Sequence, residues 1–176
     1  RYGCYKDTFS KVTVLNLPTP TIALDKTTAC IGDTITVSWT NSTAYTSGTP
    51  NWNFAGGTVV SAAGVLPVKV LFNSSGSKSI SLSVSAQSCT TPAASASVTI
   101  NAYPIADAGS DVSVCPNTNQ TLGIAGSATA AYLWSPATNL SSTSISNPTF
   151  NGINNSNANI VQIYALEVSE NGCISR

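Results

Sequence analysis

The sequence predicts an all-β chain of tandem β-sandwich modules. Three observations carry this expectation. Apolar and Ser/Thr residues alternate over short runs, as in Ile80-Ser81-Leu82-Ser83-Val84. Turn-forming strings separate those runs. The cysteines recur at a near-constant interval: Cys4 to Cys89 and Cys30 to Cys115 are each 85 positions apart, and Cys89 to Cys173 is 84. Alternation at period two gives a strand one buried face and one polar face. An interval of that size within 176 residues makes the chain a window on a repeat.

The elements follow in order. Val12-Thr13-Val14 matches Val98-Thr99-Ile100, so residues 1–17 read as the closing strand of a preceding repeat. Pro18 matches Pro104, and each opens a module: 18–103 is one sandwich, 104–176 a second sandwich lacking its final strand. Within the first, Ile22 and Leu24 begin a strand. Ile35, Val37 and Trp39 alternate with Thr36 and Ser38, and Val68, Val70 and Phe72 flank Lys69 and Leu71. Tyr164, Leu166 and Val168 repeat the pattern in the second. Gly48-Thr49-Pro50, Asn73-Ser74-Ser75-Gly76, Asn147-Pro148 and Asn151-Gly152 supply turns between them. No window shows a helical period. The linkers, Asn16-Leu17-Pro18-Thr19-Pro20 and Asn101-Ala102-Tyr103-Pro104, are short and carry Pro, which restricts φ and keeps the preceding residue extended. Sandwiches joined this way form a semi-rigid rod.

Modules of about 85 residues bury little core, so a covalent supplement is expected. Cys30 with Cys89 and Cys115 with Cys173 enclose nearly equal loops, which predicts one disulfide per module. Each would stabilise by about 4 kcal/mol in the chain-entropy view. Cys4 is left to pair with a preceding repeat. No Cys-x-x-Cys string and no His is present to build a zinc site. Disulfides imply an oxidising, extracytoplasmic setting.

Composition excludes several function classes. Seven Lys/Arg balance seven Asp/Glu with no basic run, which argues against nucleic acid. No apolar run is long enough to enter a membrane as a spanning helix. Imidazole chemistry is ruled out by the absence of His. The acids Asp7, Asp25, Asp33, Asp107, Asp111, Glu167 and Glu170 show no spacing that implies a converging pair, so no catalytic residue and no enzyme activity is expected.

Trp52-Asn53-Phe54-Ala55-Gly56-Gly57 resembles the Trp-Asp-Phe-Gly-Asp-Gly signature of polycystic-kidney-disease-type (PKD) domains. Gly76-Ser77-Lys78-Ser79-Ile80-Ser81-Leu82-Ser83-Val84 is similar to that family's Gly-x-(Lys/Tyr)-x-Val-x-Leu-x-Val strand. The motif's two acids are here Asn53 and Gly56. The second module resembles a different pattern, through Ala106-Asp107-Ala108-Gly109-Ser110-Asp111, Cys115, Leu133-Trp134-Ser135-Pro136-Ala137-Thr138-Asn139-Leu140 and Asn171-Gly172-Cys173. That pattern is similar to the repeat of very large Bacteroidota-type cell-surface proteins, including gliding-motility adhesins and other type IX secretion cargo. Together the resemblances imply tandem PKD-like and Ig-like sandwiches in a structural and adhesive stalk, on the outer surface of a bacterium and attached to its outer membrane. Its partners would be neighbouring repeats, surface polysaccharide or other surface proteins. The alternatives are an accessory module of a secreted polysaccharidase or protease, or a glycan-binding module.

Few side chains are candidate sites. Trp52 and Trp134 read as core aromatics rather than sugar platforms. Tyr45 and Tyr103 are the candidate exposed aromatics for a glycan. No cofactor is expected; the alternative is Ca²⁺ held by Asp107 and Asp111 in the linker, against a solvated turn. Asp33-Thr34-Ile35 resembles the Asp-(Ser/Thr)-aliphatic O-glycosylation site of Bacteroidota secreted proteins, which implies glycan on Thr34.

Overall fold

The computed structural model describes residues 6, 8–14, 17–45, 47–62, 66–86 and 88–176. The fold is all-β; a single 3₁₀ turn at Ser42–Ala44 is the one helical piece among the described residues. In the first module the strands are β1 (Ile22–Leu24), β2 (Thr28–Cys30), β3 (Thr34–Trp39), β4 (Thr49–Asn53), β5 (Thr58–Val59), β6 (Val68–Leu71), β7 (Gly76–Ala86), β8 (Cys89–Thr90) and β9 (Ala94–Asn101). They form two sheets, ordered β1-β3-β6-β5 and β2-β9-β7-β4, with β8 folded back on β7.

The alternation read in the sequence becomes the two inner faces. Ile35, Val37, Val70 and Phe72 from one sheet meet Ile80, Val98 and Ile100 from the other in one buried cluster. Leu82 and Val84 continue it toward Trp39 and Tyr45. Burying each large aliphatic side chain contributes roughly 1.5–3 kcal/mol. The PKD-like string makes the turn from β4 to β5. Ala55 (φ 52°) and Gly56 (φ 83°) both take left-handed conformations, and Gly57 N–H donates to the Phe54 carbonyl at 3.0 Å. That is a type I′ turn, which requires positive φ at both central residues. Asn53, in the place of the motif's first acid, accepts from Ala55 N–H at 2.9 Å. Gly57 is under the core: a Cβ there would lie 2.4 Å from Val70 Cγ1 and 2.6 Å from Phe72 Cε1.

The second module contains β10 (Asn119–Thr121), β11 (Ala131–Ser135), β12 (Thr149–Asn151), β13 (Ala165–Glu170) and β14 (Cys173–Ser175). β10 pairs with β12, and β11-β13-β14 form a second sheet. Trp134, Leu166 and Val168 are its buried cluster. Trp134 is only 2% exposed, and its indole N–H donates to the Ile145 carbonyl at 2.9 Å, as a buried Trp requires. Residues 8–14 form no strand, and Phe9, Val12 and Val14 are exposed. The closing strand expected there joins no sheet among the described residues, and Cys4 lies outside them.

The disulfide pairing differs from the sequence expectation. Cys30 is bonded to Cys173, 143 positions away, with their Cα atoms 5.7 Å apart. Cys89 and Cys115 are exposed thiols. Neither Cys30–Cys89 nor Cys115–Cys173 forms, and the one disulfide among the described residues joins two modules instead of closing one. Strand register gives the reason. Cys30 lies opposite Asn101 on β9, and the neighbouring Ile100 lies opposite Gly76, at the start of β7. Cys89 lies opposite Ala86, at the other end of β7. That strand spans about 33 Å, whereas a disulfide needs Cα atoms within roughly 7 Å. The second module repeats the separation. Cys115 lies in the turn before β10, whose Asn119 is opposite Asn151 and so beside Asn139, past the Ser135 end of β11, whereas Cys173 is opposite Glu170 at the Ala131 end of the same sheet.

Candidate functional site: the stapled junction

The sequence brings two kinds of backbone turn to the junction. Cys30 begins a tight turn: Asp33 N–H donates to the Cys30 carbonyl at 3.0 Å, and Gly32 takes φ 86°. Asp33 closes the same turn from its side chain, accepting from Cys30 N–H at 3.0 Å, with Lys26 Nζ 3.8 Å away. Cys173 follows a two-residue hairpin whose Asn171 and Gly172 have φ 50° and 82°. Asn-Gly is the preferred pair for that turn. The two turns abut at the linker. Ile31 N–H donates to the Asn101 carbonyl at 3.0 Å, and Asn101 Nδ2 donates to the Asn171 carbonyl at 3.0 Å. Cys173 is buried, 1% exposed. The junction is therefore held by a covalent bond, by a side-chain hydrogen bond across it, and by the short Pro104 linker.

Beside the junction lies an open groove of about 260 Å³. Tyr103, Ile105 and Asp107 from the linker side face Tyr132 and Glu170 of the second module across it. Glu170 accepts from Thr129 Oγ1 and from Ser127 Oγ, and these two hydrogen bonds hold its carboxyl below the ordinary value. Tyr132 donates to the Ser127 carbonyl at 3.1 Å, so the groove wall is tied together.

The other candidates are placed as follows. Trp134 is core. Trp52 is half-buried and stacks on Phe54, ring centres 5.4 Å apart at 13°. Tyr45 is a correction: it is buried against Trp39 at 5.2 Å between centres, and its hydroxyl donates to the Pro18 carbonyl. Only Tyr103 of the two is available, at 51% exposure. Asp107 closes a local turn by accepting from Gly109 N–H at 2.8 Å. Among the described residues no three acidic, His or Cys side chains gather to hold an ion, so Asp107 and Asp111 are not brought into a cluster. Thr34 is the half-buried first residue of β3, opposite Leu71, and its neighbour Asp33 is engaged in the Cys30 turn.

Two residues that hold the linkers carry no signal for that role in the sequence. One is Asn101. The other is Asn41, which accepts from Thr21 N–H and Trp39 Nε1 and donates to the Thr19 carbonyl, tying the first linker to its sandwich.

Neither a family model nor a curated protein matches the chain. Among solved structures it is similar to a Bacteroides ovatus mixed-linkage glucan utilization locus protein, SGBP-B, in complex with a mixed-linkage heptasaccharide. The identity is 15%, the TM-score 0.32, and the match covers 91% of this chain. This chain spans about half, 46%, of that protein. It is also similar to the tandem Ig repeats of Dlar, at 11% identity and TM-score 0.27, covering 88% of this chain and 92% of that one. The chain is an all-β protein whose strands form paired sheets in tandem modules.

Proposed function

We propose that this chain is a repeat segment of a long bacterial cell-surface protein, a semi-rigid stalk that spaces and displays adhesive surfaces. The surface protein would be of the gliding-motility or type IX-secreted kind that the second module resembles. Its action is mechanical, with no chemistry on a substrate. The observation that carries this reading is the Cys30–Cys173 bond across the junction. Tension entering before Cys30 and leaving after Cys173 passes through the sulfur bridge and bypasses every strand from β3 to β13, while β1, β2 and β14 lie on the loaded path. A stalk so built limits its extension under load to the segments outside the bridge.

Stretching single molecules held at Arg1 and Arg176 tests this. Oxidised chains yield only the residues outside the bridge. A reductant, or Cys173→Ser, adds roughly 480 Å of extension, from 143 positions at about 3.4 Å each. Equal extension in both states would remove the joint on which the stalk reading rests.

The groove supports a second reading, binding of surface polysaccharide. An exposed Tyr beside carboxylates is a surface on which a sugar ring can stack and hydrogen-bond. Retention of the chain on insoluble polysaccharide, abolished by Tyr103→Ala, would favour that reading; retention unaffected by the substitution would count against it.

A further inference from the structure

The two exposed thiols are built like the two that are bonded. Cys115 begins a turn of the same kind as Cys30: Thr118 N–H donates to the Cys115 carbonyl at 3.3 Å, and the third residue, Asn117, has φ 59°, where Gly32 has 86°. Cys89 sits as Cys173 does, the first residue after a two-residue hairpin, opposite Ala86 as Cys173 is opposite Glu170. Ser88 before it has φ 67°, and Gly172 before Cys173 has 82°. So each module carries one turn cysteine and one hairpin cysteine, at opposite ends. At the junction, the turn cysteine of the first module is bonded to the hairpin cysteine of the second. That leaves a hairpin thiol at the outer end of the first module and a turn thiol at the outer end of the second, both exposed.

We infer that these outer ends are docking faces for a second copy of this repeat, stacked head to tail, and that Cys115 bonds the Cys89-type hairpin of the copy that follows. The two ends are complementary and not alike. The contact is therefore heterologous, which excludes a symmetric dimer, and with its two faces at opposite ends of the chain it extends into a rod. Along such a rod every joint carries the Cys30–Cys173 type of bridge.

Bond formation needs an oxidant, here a small-molecule disulfide. The Cys115 thiolate attacks it, forming a mixed disulfide and releasing one thiol. The Cys89 thiolate of the next copy then attacks Cys115 Sγ, releasing the second. Two cysteine thiols have lost two protons and two electrons, and the oxidant has been reduced to two thiols. The inference supplies joints to the proposed stalk, but it is tested apart from the extension measurement, so either can fail alone.

The test uses the full chain in a Cys4→Ser background at about 1 mM, the effective concentration typical of short linkage, with oxidised glutathione. Cross-linked peptides are counted by mass spectrometry. The expected result is Cys115–Cys89 links in at least about tenfold excess over Cys89–Cys89 and Cys115–Cys115, a preference worth about 1.4 kcal/mol. Adding Cys89→Ser to one batch and Cys115→Ser to another should leave each batch monomeric. Their mixture should give dimers and stop there. A statistical mixture of the three links, dimers in the single variants equal to those in the mixture, or no Cys115–Cys89 link at all would each overturn the proposal.

Discussion

The two modules share a plan and differ in how much core each buries. In the first, β9 runs through Ala94–Asn101, pairs with both β7 and β2, and sends Val98 and Ile100 into the core. In the second, β13 pairs with both β11 and β14 and sends Leu166 and Val168 into the core. Among the described residues, nine of the first module form its main buried cluster and four more an adjoining one, against three in the cluster of the second. Ile160, Val161 and Ile163, which alternation alone would not separate from core residues, are exposed. The difference teaches what core size does in a small sandwich: where few side chains are buried, stability concentrates in those few. Here those are Trp134 and the cysteine that ties the second module to the first.

Paired truncations give the largest effect and the most direct way to break this contrast. Trp134→Ala and Phe72→Ala each remove a nearly fully buried aromatic, at a cost of about 3–5 kcal/mol. The first module should absorb Phe72→Ala with a lowered melting temperature and a cooperative transition. The second, with three core residues, should lose its fold on Trp134→Ala while the first remains intact. Amide hydrogen exchange resolved by module reads both; retained protection at Leu166 and Val168 in Trp134→Ala would show that the two cores are of comparable depth.

Gly57→Ala is the next in size and sharpens the picture of the first core as closely packed. Its Cβ would press on Val70 and Phe72, and overpacking of this kind costs about 1–3 kcal/mol. Denaturant unfolding should show a lower midpoint with an unchanged slope. A midpoint equal to that of the parent would mean the β4–β5 turn can shift away from the core.

The smallest effect concerns pH and the second module alone. The Glu170 carboxyl is held below its ordinary value by Thr129 and Ser127. A depressed folded pKa means the contribution is present above the unfolded carboxylate pKa and is lost as pH falls through the folded one. The group is exposed, so the change should be slight and salt-sensitive. Following the Glu170 side-chain carbon by NMR, Thr129→Val should move its titration up toward the ordinary carboxylate value. An unmoved midpoint would place the depression elsewhere.

Much of this architecture was legible in the chain before any coordinates. Period-two alternation marks β3, β6, β7 and β13 because a strand with one face on the core presents apolar residues at every second position. The interval between cysteines marked the repeat because equivalent turns recur at equivalent places. Asn171-Gly172 enters the sequence pattern only by its place before Cys173, yet it forms a hairpin of two left-handed residues. Tyr45 was read as exposed and is buried, since its hydroxyl found the Pro18 carbonyl across a sequence distance that local pattern does not reach.

The cysteine pairing shows where sequence reasoning stops. Equal intervals say which cysteines are alike, and Cys30 and Cys89 look like natural partners because the loop between them has a comfortable length. Sequence separation, however, carries no information about which end of a sandwich a turn occupies. The β7–β9 register puts Cys30 and Cys89 a full strand apart, and the short linker then brings the Cys173 hairpin against the Cys30 turn. A disulfide answers to a few ångströms of space and not to positions along a chain. The bond therefore runs between modules, which turns two small domains into a joint.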